Sequence, residues 1–350
     1  EVWRALVEAR AVPYTALLRN LGRLSGNGVL VAGAPAVQLV LDRLRDPAAI
    51  RGARVHPLAV LGALVTYRSG HGARGDGKWT PVPSVVAALE TAFYASFANA
   101  PTTGKRWLLA LDVSGSMGMG TLAGYPGLSP RVGSAAMALV TARNEPACTV
   151  VAFTAAAKGT GGRWGGGTPG LTNVPLEHHT LETLVAATAA LPMGGTDCAL
   201  PMLHAEKHRI PVDVFAVYTD SETWAGPVHP VEALRRYRRT MKIPAKLVVI
   251  GMVSNGFSIA DPSDAGMLDV VGFDAGAPAA MAAFAMHALS ASLTAAAPAH
   301  LASRTRAARR VKEAARLTEL FDDHGDDACC LIIDHPVDIV LNAAGGLVTG

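Results

Sequence analysis

LLALDVSGSMG, residues 108–118, joins an apolar run typical of a buried strand to three polar side chains. Asp112, Ser114 and Ser116 stand two residues apart, and alternate side chains of an extended segment share one face. One carboxylate and two hydroxyls can therefore point toward a single position. Oxygen atoms are the ligands that Mg²⁺ prefers, and its octahedral geometry requires further donors from elsewhere. The stretch predicts a strand that ends at a cation site.

Two later segments carry matching oxygen donors. PMGGTDCALPM, residues 192–202, contains Thr196, and the apolar run FAVYTDSET, residues 215–223, reaches Asp220. Ligand sites of open parallel sheets lie beyond the carboxyl ends of the strands, where such loops meet. We therefore expect three loops to surround one Mg²⁺ or another divalent cation. The alternative is that these polar residues only join the loops by hydrogen bonds, since Asp, Ser and Gly are common in turns.

The composition indicates a globular protein without a strong charge bias. Half of the 350 residues are hydrophobic, and the net charge is only +3, too small to indicate nucleic-acid binding by itself. The four cysteines have no paired spacing, which argues against a disulfide framework or a zinc site: Cys148, Cys198, Cys329 and Cys330. No leader sequence and no apolar run of ~20 residues is visible, so we expect a cytoplasmic protein without a membrane partner.

Three regions differ in their hydrophobic patterns. Residues 1–102 show apolar residues at helical spacing in successive short segments, which predicts an α-helical module. Residues 103–292 alternate apolar strands with amphipathic helices, and this pattern is typical of a mostly parallel α/β sheet covered by helices on both faces. Residues 293–350 are in turn Ala-rich, basic, acidic and apolar, and the sequence assigns them no structure.

Long stretches of the chain resemble one known family. DxSxS, Thr196 after a glycine pair and Asp220 after a later strand resemble the metal-ion-dependent adhesion site of von Willebrand factor A (vWA) domains, which are Rossmann-like. The resemblance to the TROVE (Ro-type) family of RNA-binding proteins extends over roughly residues 1–290. It rests on PYTALLRNLGRL, ARVHPLAVLGALVTYRSGHGARGDGKW, GGTDCALPM, TDSETWAGPVHPVEALRRYRRTMKIPAKL and IGMVSNGFSIADPSDAGMLDVVGFD.

The resemblance implies a fold and a function. The family has a ring of HEAT-like helices closed by a vWA domain, binds small noncoding Y RNAs and the free ends of misfolded RNAs, and acts in RNA quality control. Ser114, Ser116 and Thr196 would bind the metal ion directly, and Asp112 and Asp220 directly or through water. Because the sequence opens inside the helical module, we expect most of the ring to be absent, as in an N-terminally truncated member.

Two groups of basic residues are candidates for RNA binding. One lies in the helical segment VEALRRYRRTM and includes Arg235, Arg238 and Arg239, with Lys242 and Lys246 after it. The other lies in the helical module and consists of Arg19, Arg23, His71, Arg74 and Lys78. Arginine can pair with phosphate through two parallel hydrogen bonds. A solvated helix face or a soluble connector would show the same residues, so both readings stay open.

No set of residues indicates catalysis. Ser114 and Ser116 have no evident histidine base nearby in the sequence, and the predicted metal site lacks the carboxylate cluster of two-metal nucleases. We therefore expect a protein that is not an enzyme. The leading hypothesis is a Ro-type RNA-binding protein, and the alternative is a vWA domain that has lost RNA binding and whose metal ion takes a carboxylate from a protein partner.

Overall fold

The computed structural model describes residues 2–72, 76–125, 127–154, 170–176, 179–192, 194–220, 226–253 and 259–287, together with two short strands in the remaining tail. The chain divides into two compact units, residues 1–287 and residues 288–350. In the second unit, strands Val340–Leu341 and Leu347–Val348 pair antiparallel. The predicted tail of residues 293–350 otherwise lies outside the described residues.

The first hundred residues form helices, as the apolar spacing predicts. Most of these helices begin at a proline, whose fixed φ suits the first helical position and whose missing N–H leaves no bond unmade there. A short helix over residues 47–53 was not expected, because seven residues are too few to show a clear periodicity. The helices are α1 Val2–Glu8, α2 Tyr14–Gly26, α3 Pro35–Arg45, α4 Pro47–Ala53, α5 Pro57–Ser69 and α6 Pro83–Ala95.

A mostly parallel sheet follows, as predicted. In the described part of residues 1–287 its strand order is β3-β2-β1-β4-β5-β6, and every neighbouring pair is parallel except β2 with β3. The order places β1 at the centre, where the chain reverses its direction of winding. The strands are β1 Arg106–Asp112, β2 Ala147–Thr154, β3 Gly170–Asn173, β4 Val214–Thr219, β5 Lys246–Gly251 and β6 Met267–Val271.

Helices cover the sheet, and the central strands are buried almost completely. All side chains of β4 and β5 are buried, which explains why these strands read as continuous apolar runs rather than as alternating ones. Phe215 and Val217 lie in one hydrophobic core with Tyr237. The α/β fold class is confirmed. The helices of this region are α7 Pro130–Asn144, α8 Leu181–Ala189, α9 Leu200–Lys207, α10 Pro230–Met241 and α11 Ala277–Met286.

The helical module contacts the α/β region through the loop that follows the DxSxS motif. The ring of Tyr125 lies directly over Gly62 of α5, so that a side chain at position 62 would collide with it. The same ring meets Phe273 edge-on, with 5.2 Å between centroids. The loop after the predicted metal site therefore packs between the helical module and the α/β region.

Among the helices of the described residues, none taken singly has both the length and the apolar character to cross a membrane. The helices Pro47–Ala53 and Pro57–Ser69, which are bent relative to one another, together have the length and apolar composition of a membrane span, but nothing else indicates one.

Candidate metal site and basic surfaces

Asp112 is the last residue of β1 and the centre of the candidate metal site, which lies at the carboxyl edge of the sheet. Its side chain is buried, and its Oδ1 accepts a hydrogen bond of 2.8 Å from the amide of Ser114. Its Oδ2 accepts from the hydroxyls of Thr196, at 3.2 Å, and Thr219, at 2.9 Å. Parallel strands β1 and β4 end beside one another, which brings these groups together.

The two serines of the motif lie on the turn that follows. Residues Gly115–Gly118 form one turn of 3₁₀ helix, and the hydroxyl oxygens of Ser114 and Ser116 lie 3.1 Å apart. Ser114 is buried and Ser116 is exposed, so the pair leads from the buried carboxylate to the surface. Arg131, near the start of α7, donates from Nη2 to the carbonyl of Ser114 at 3.1 Å.

The structure joins four of the five predicted ligands. Hydrogen bonds connect Asp112, Ser114, Ser116 and Thr196, which the alternative of loops joined by hydrogen bonds also predicts. Asp220 follows β4, and it lies close enough that its charge contributes to raising the pKa of Asp112. The loops of Asp112 and Thr196 therefore meet at this edge, while the ligand set and the binding of a metal ion there stay predictions.

Burial dominates the electrostatics of this site. It raises the pKa of Asp112 to about 6, against the lowering effect of hydrogen bonds from Ser114 and Thr219. Within the described residues the donors to this carboxylate are amide and hydroxyl groups, none of which carries a positive charge. Such a buried carboxylate, with a second carboxylate nearby, would gain stability from a bound divalent ion.

The donor set fits Mg²⁺. Two carboxylates and three hydroxyls supply only oxygen atoms, and the exposed position of Ser116 leaves room for the waters that Mg²⁺ retains. Within the described residues, no group of three or more His, Cys, Asp and Glu side chains is arranged to hold a metal ion. The candidate site differs from such groups because hydroxyls make up most of its donors.

Two residues of this region were not predicted. Thr219 was counted only as part of an apolar strand, yet its hydroxyl makes the shorter of the two threonine bonds to Asp112. Asp197 is buried beside Thr196 and accepts from the amide of Ala199 at 3.0 Å. Its carboxylate packs against Gly226, where φ is +88° and any side chain would collide with it. Asp197 therefore joins the loop of Thr196 to the segment after Asp220.

The arginines of α10 are paired with carboxylates rather than free. Arg235 contacts Asp261 at 2.7 Å, and Arg239 contacts Glu232 at 3.0 Å. Arg238 contacts Asp264 at 2.5 Å and also donates to the carbonyls of Ala245, at 2.7 Å, and Gly266, at 3.3 Å. These contacts favour an intramolecular role for the basic residues of α10. Their predicted contact with RNA stays untested.

Lys246 is no surface cation, although it follows the same basic run. It is buried at the start of β5, and its ammonium group donates to the carbonyls of Phe284 and His287. These carbonyls belong to the last turn of α11, where a helix has unpaired carbonyls and a partial negative charge. Lys246 therefore caps α11.

The basic residues of the helical module differ from the paired arginines of α10. Arg19 and Arg23 are exposed and one turn apart on α2, while His71 and Lys78 are exposed and form an antiparallel bridge. Arg74 lies outside the described residues. We call Arg19, Arg23, His71 and Lys78 the basic face. Among the described residues, no carboxylate forms an ion pair with any of these four.

Trp79 holds the two parts of the basic face together. A Cβ at Gly22 of α2 would lie 2.6 Å from the Trp79 ring, so the indole packs directly on the helix backbone. The indole N–H donates to the carbonyl of Tyr67 at 2.8 Å, and the two rings stack with centroids 6.2 Å apart. Gly26 likewise approaches the backbone of Lys78. The bridge of His71 and Lys78 therefore lies beside the helix that carries Arg19 and Arg23.

Comparison with known proteins identifies the family. The sequence profile of the Ro60 vWA domain matches residues 106–285, which is more than half of the chain. The chain belongs to the Ro60 family. The profile of the TROVE domain matches residues 1–66. The sheet and its helices are accordingly a vWA domain, and the expected family relationship is confirmed.

Relatives of known name support the same assignment. The chain is 48% identical over 286 residues to RNA-binding protein RO60 of Deinococcus radiodurans, covering 81% of this chain and 51% of the relative. It is 39% identical over 279 residues to RNA-binding protein RO60 of Caenorhabditis elegans, covering 79% and 40%. The crystal structure of Deinococcus radiodurans RO (RSR) protein superposes with a TM-score of 0.69 at 47% identity, covering 78% of this chain and 52% of that one.

The chain spans about half the length of the curated Ro60 relatives it matches. Both of these relatives are named as RNA-binding proteins rather than enzymes. What the complete proteins bind therefore comes to this chain only as a proposal.

Proposed function

We propose that the chain is an RNA-binding component of the Ro type, which binds small noncoding or misfolded RNA in RNA quality control and holds Mg²⁺ in its vWA domain. The observation that carries the RNA-binding part is the basic face: α2, with exposed Arg19 and Arg23, packs against the segment that carries exposed His71 and Lys78. The names of the Ro60 relatives support the same ligand.

Charge pairing separates the basic face from the other arginines. Each arginine of α10 that we predicted to bind RNA already has a carboxylate partner, so binding a phosphate there requires breaking an ion pair. Arg19, Arg23 and Lys78 have no such partner among the described residues, so they can contact a phosphate without first breaking an ion pair. Phosphate contacts of this kind supply most of the affinity of sequence-independent nucleic-acid binding.

The metal ion has a separate part in this proposal. Asp112, Asp220, Ser114, Ser116 and Thr196 would hold Mg²⁺, which when bound supplies positive charge and an open position for an anionic ligand. The residues themselves fix the geometry, because Thr196 and Thr219 orient the Asp112 carboxylate.

The test is a binding titration over a series of salt concentrations. A fluorescein-labelled RNA stem-loop with a single-stranded 3′ tail is titrated with the 350-residue chain and with a variant carrying Arg19→Gln and Arg23→Gln. We expect the double variant to bind more weakly, with a plot of log affinity against log salt that is shallower by about 2, because two phosphate contacts are lost.

A matched control removes the same charge elsewhere. Arg236→Gln with Arg239→Gln deletes two exposed arginines of α10 that are paired with Glu206 and Glu232. We expect this control to keep the salt dependence of the parent chain. Equal losses in the two double variants would show a nonspecific effect of charge and contradict the assignment of the basic face, and a parent chain without affinity at low salt would refute RNA binding.

A further inference from the structure

Arg131 lies against the turn that carries the predicted metal ligands. Its Nη2 donates to the carbonyl of Ser114, at the start of the turn, over 3.1 Å. At the other end of the turn, a Cβ built on Gly118 would lie 3.3 Å from Nη1 and 3.5 Å from Cζ. The guanidinium group therefore spans both ends of the segment that holds Ser114 and Ser116.

The guanidinium has far fewer partners than it can use. An arginine side chain offers five N–H donors, but the side chain of Arg131 makes a single hydrogen bond within the described residues, and its Nε is buried without a partner. Within the described residues six arginines form ion pairs with carboxylates, whereas no carboxylate pairs with Arg131. A partly buried cation without a counter-charge is unfavourable, so this position favours an anion.

Gly118 leaves one side of that guanidinium open. Gly118 is exposed, and its missing side chain would occupy the space next to Nη1. The distances of 3.3 and 3.5 Å are tight but tolerable, so an alanine there would cover the group without breaking the turn. A methyl group at position 118 would therefore lie against the Arg131 guanidinium.

A divalent cation bound at Ser114 and Ser116 would repel the guanidinium beside the same turn, unless an anion lies between them. A phosphodiester has two non-bridging oxygens, and both Mg²⁺ and arginine bind phosphate oxygens. We infer that Arg131 and the metal ion together bind one backbone phosphate of RNA, which makes the carboxyl edge of the sheet a second RNA contact. The inference rests on the proposed function, since it requires both the RNA and the metal ion.

Phosphate fits this position better than the carboxylate of a protein partner. The Ro60 relatives are named for RNA binding, so phosphate is the anion that the family's ligand carries in every nucleotide. Asp112 and Asp220 already supply two carboxylates at the predicted metal site, and a carboxylate partner would bring a third compact negative charge beside them. A phosphodiester carries the same single charge but spreads it over a larger group.

The experiment compares RNA affinity with and without the metal ion. The full chain and Arg131→Gln are titrated with the same labelled stem-loop RNA in MgCl₂ and in EDTA, and Mn²⁺ affinity is measured separately by electron paramagnetic resonance. We expect Arg131→Gln to weaken RNA binding ~10-fold or more in Mg²⁺ but less than ~3-fold in EDTA, because a charge-assisted contact is lost only when the phosphate is held there. Mn²⁺ affinity should stay equal or rise, because a nearby positive charge is removed.

Two further variants keep the result interpretable. Gly118→Ala covers the guanidinium and should reproduce the loss in Mg²⁺, whereas Arg143→Gln, on the same helix, should bind RNA like the parent chain. Within the described residues Arg143 donates to the backbone carbonyls of Leu176 and His179, so Arg143→Gln removes the same charge far from the turn. Circular dichroism melts check that each variant is folded. Arg131→Lys keeps the charge but loses the planar guanidinium, and it should lose part of the RNA affinity in Mg²⁺.

Several results would overturn the inference. These are unchanged RNA affinity of Arg131→Gln in Mg²⁺, an equal loss in EDTA, or an RNA loss explained entirely by weaker Mn²⁺ binding, which would mean that Arg131 only supports the turn. Metal-dependent binding of an acidic peptide that Arg131→Gln abolishes, with RNA affinity intact, would assign the site to a protein. If variants of the basic face weaken RNA binding while Arg131→Gln does not, only this inference fails, whereas a parent chain that binds no RNA refutes both.

Discussion

At the scale of single residues, Asp112 decides whether the edge of the sheet can hold a cation. Its carboxylate is buried, and every donor to it within the described residues is uncharged. Without a cation this arrangement costs stability, because burial raises the pKa of Asp112 to about 6. With a cation, the same arrangement becomes a ligand that is already oriented.

Asp112→Asn tests this residue directly. The amide is of similar size but uncharged, so in EDTA at pH 7 we expect the variant to be more stable than the parent by about 1–3 kcal/mol, since a buried charge is removed. In MgCl₂ the parent should gain thermal stability, by about 2.7 kcal/mol at a concentration 100 times Kd, and the variant should gain little. Thermal melts in both buffers measure the difference. A parent chain that gains nothing from Mg²⁺ would contradict the predicted site.

His56 makes the stability of the helical module depend on pH. It precedes α5, and its Nδ1 accepts from the amide of Leu58 at 3.2 Å, so this nitrogen must be unprotonated. Burial lowers the pKa of His56 to about 4, and the charge of Asp274 only partly opposes this. In the unfolded chain His56 binds a proton near pH 6.5, but in the folded chain only near pH 4. The contribution of neutral His56 to the free energy of unfolding is therefore complete above about pH 6.5 and is lost as the pH falls toward 4.

His56→Asn separates capping from titration. Asparagine also caps helix N-termini, but it does not titrate, so the cap should persist at every pH. Between pH 7 and pH 4 we expect the variant to lose up to about 3 kcal/mol less stability than the parent chain. Urea unfolding at several pH values measures this, and parallel curves for the two proteins would show that His56 does not contribute to the acid sensitivity.

At the scale of elements, the arginines of α10 show how little a charge run reveals about the role of each residue. Arg238 is mostly buried and joins α10 to Asp264 and to two backbone carbonyls, whereas Arg239 contacts only Glu232 on its own helix. We expect Arg238→Ala to lower the free energy of unfolding by about 2–4 kcal/mol, because it leaves a carboxylate and carbonyls unpaired. Arg239→Ala should cost less than about 1 kcal/mol.

Urea denaturation of the two alanine variants checks this contrast on one helix. Similar costs would mean that the contacts of Arg238 with the segment after α10 add nothing to stability. The sequence could not supply this contrast. Helical spacing correctly places Leu234 and Tyr237 in the core, but Asp264 lies 26 residues beyond Arg238, and only the folded chain brings them together.

Strands and helices themselves were largely predictable because local periodicity reflects burial. The apolar runs of β1, β4 and β5 are continuous because both faces of these strands are covered. The short helix α4 and the antiparallel edge strand β3 were missed, because they have seven and four residues and too few apolar positions to show a period. Helix α11 was also missed, since its Ala-rich composition has no distinct polar face.

At the scale of the whole molecule, the loop after the DxSxS motif joins the helical module to the vWA domain. Tyr125 packs on Gly62 of α5 and against Phe273 beyond β6. Tyr94 of α6 adds a second contact, since its hydroxyl accepts from the amide of Leu181 at 3.0 Å, at the start of α8. The candidate metal site and the helices that carry the basic face therefore belong to one packed unit.

Tyr125→Ala tests this contact. Removing a large ring from between two packed regions should lower the free energy of unfolding by about 2–4 kcal/mol, because it leaves a cavity over Gly62. Met286→Ala, at an exposed position, should change stability by less than about 0.5 kcal/mol and serves as the control. Equal effects of the two substitutions in urea denaturation would contradict the role assigned to the loop.

The residues of the candidate metal site that follow strands or glycine pairs were predictable from the sequence. Asp112, Thr196 and Asp220 each follow an apolar run or a glycine pair, and parallel strands end at a common edge. Thr219 and Asp197 were missed because each acts through a contact between loops that are distant in sequence, and neither stands out from its neighbours. Sequence patterns alone also could not separate the paired arginines of α10 from the basic face.

The central claim is that three strand-end loops hold one divalent cation. Diffraction from crystals of this chain grown with MnCl₂, recorded above the manganese absorption edge, tests it most directly. We predict an anomalous peak in contact with the hydroxyl oxygens of Ser114 and Ser116 and next to Thr196, Asp112 and Asp220, and no such peak in crystals of Asp112→Asn. Ordered loops at this edge without a manganese peak in the parent chain, at a Mn²⁺ concentration of millimolar order, would contradict the account.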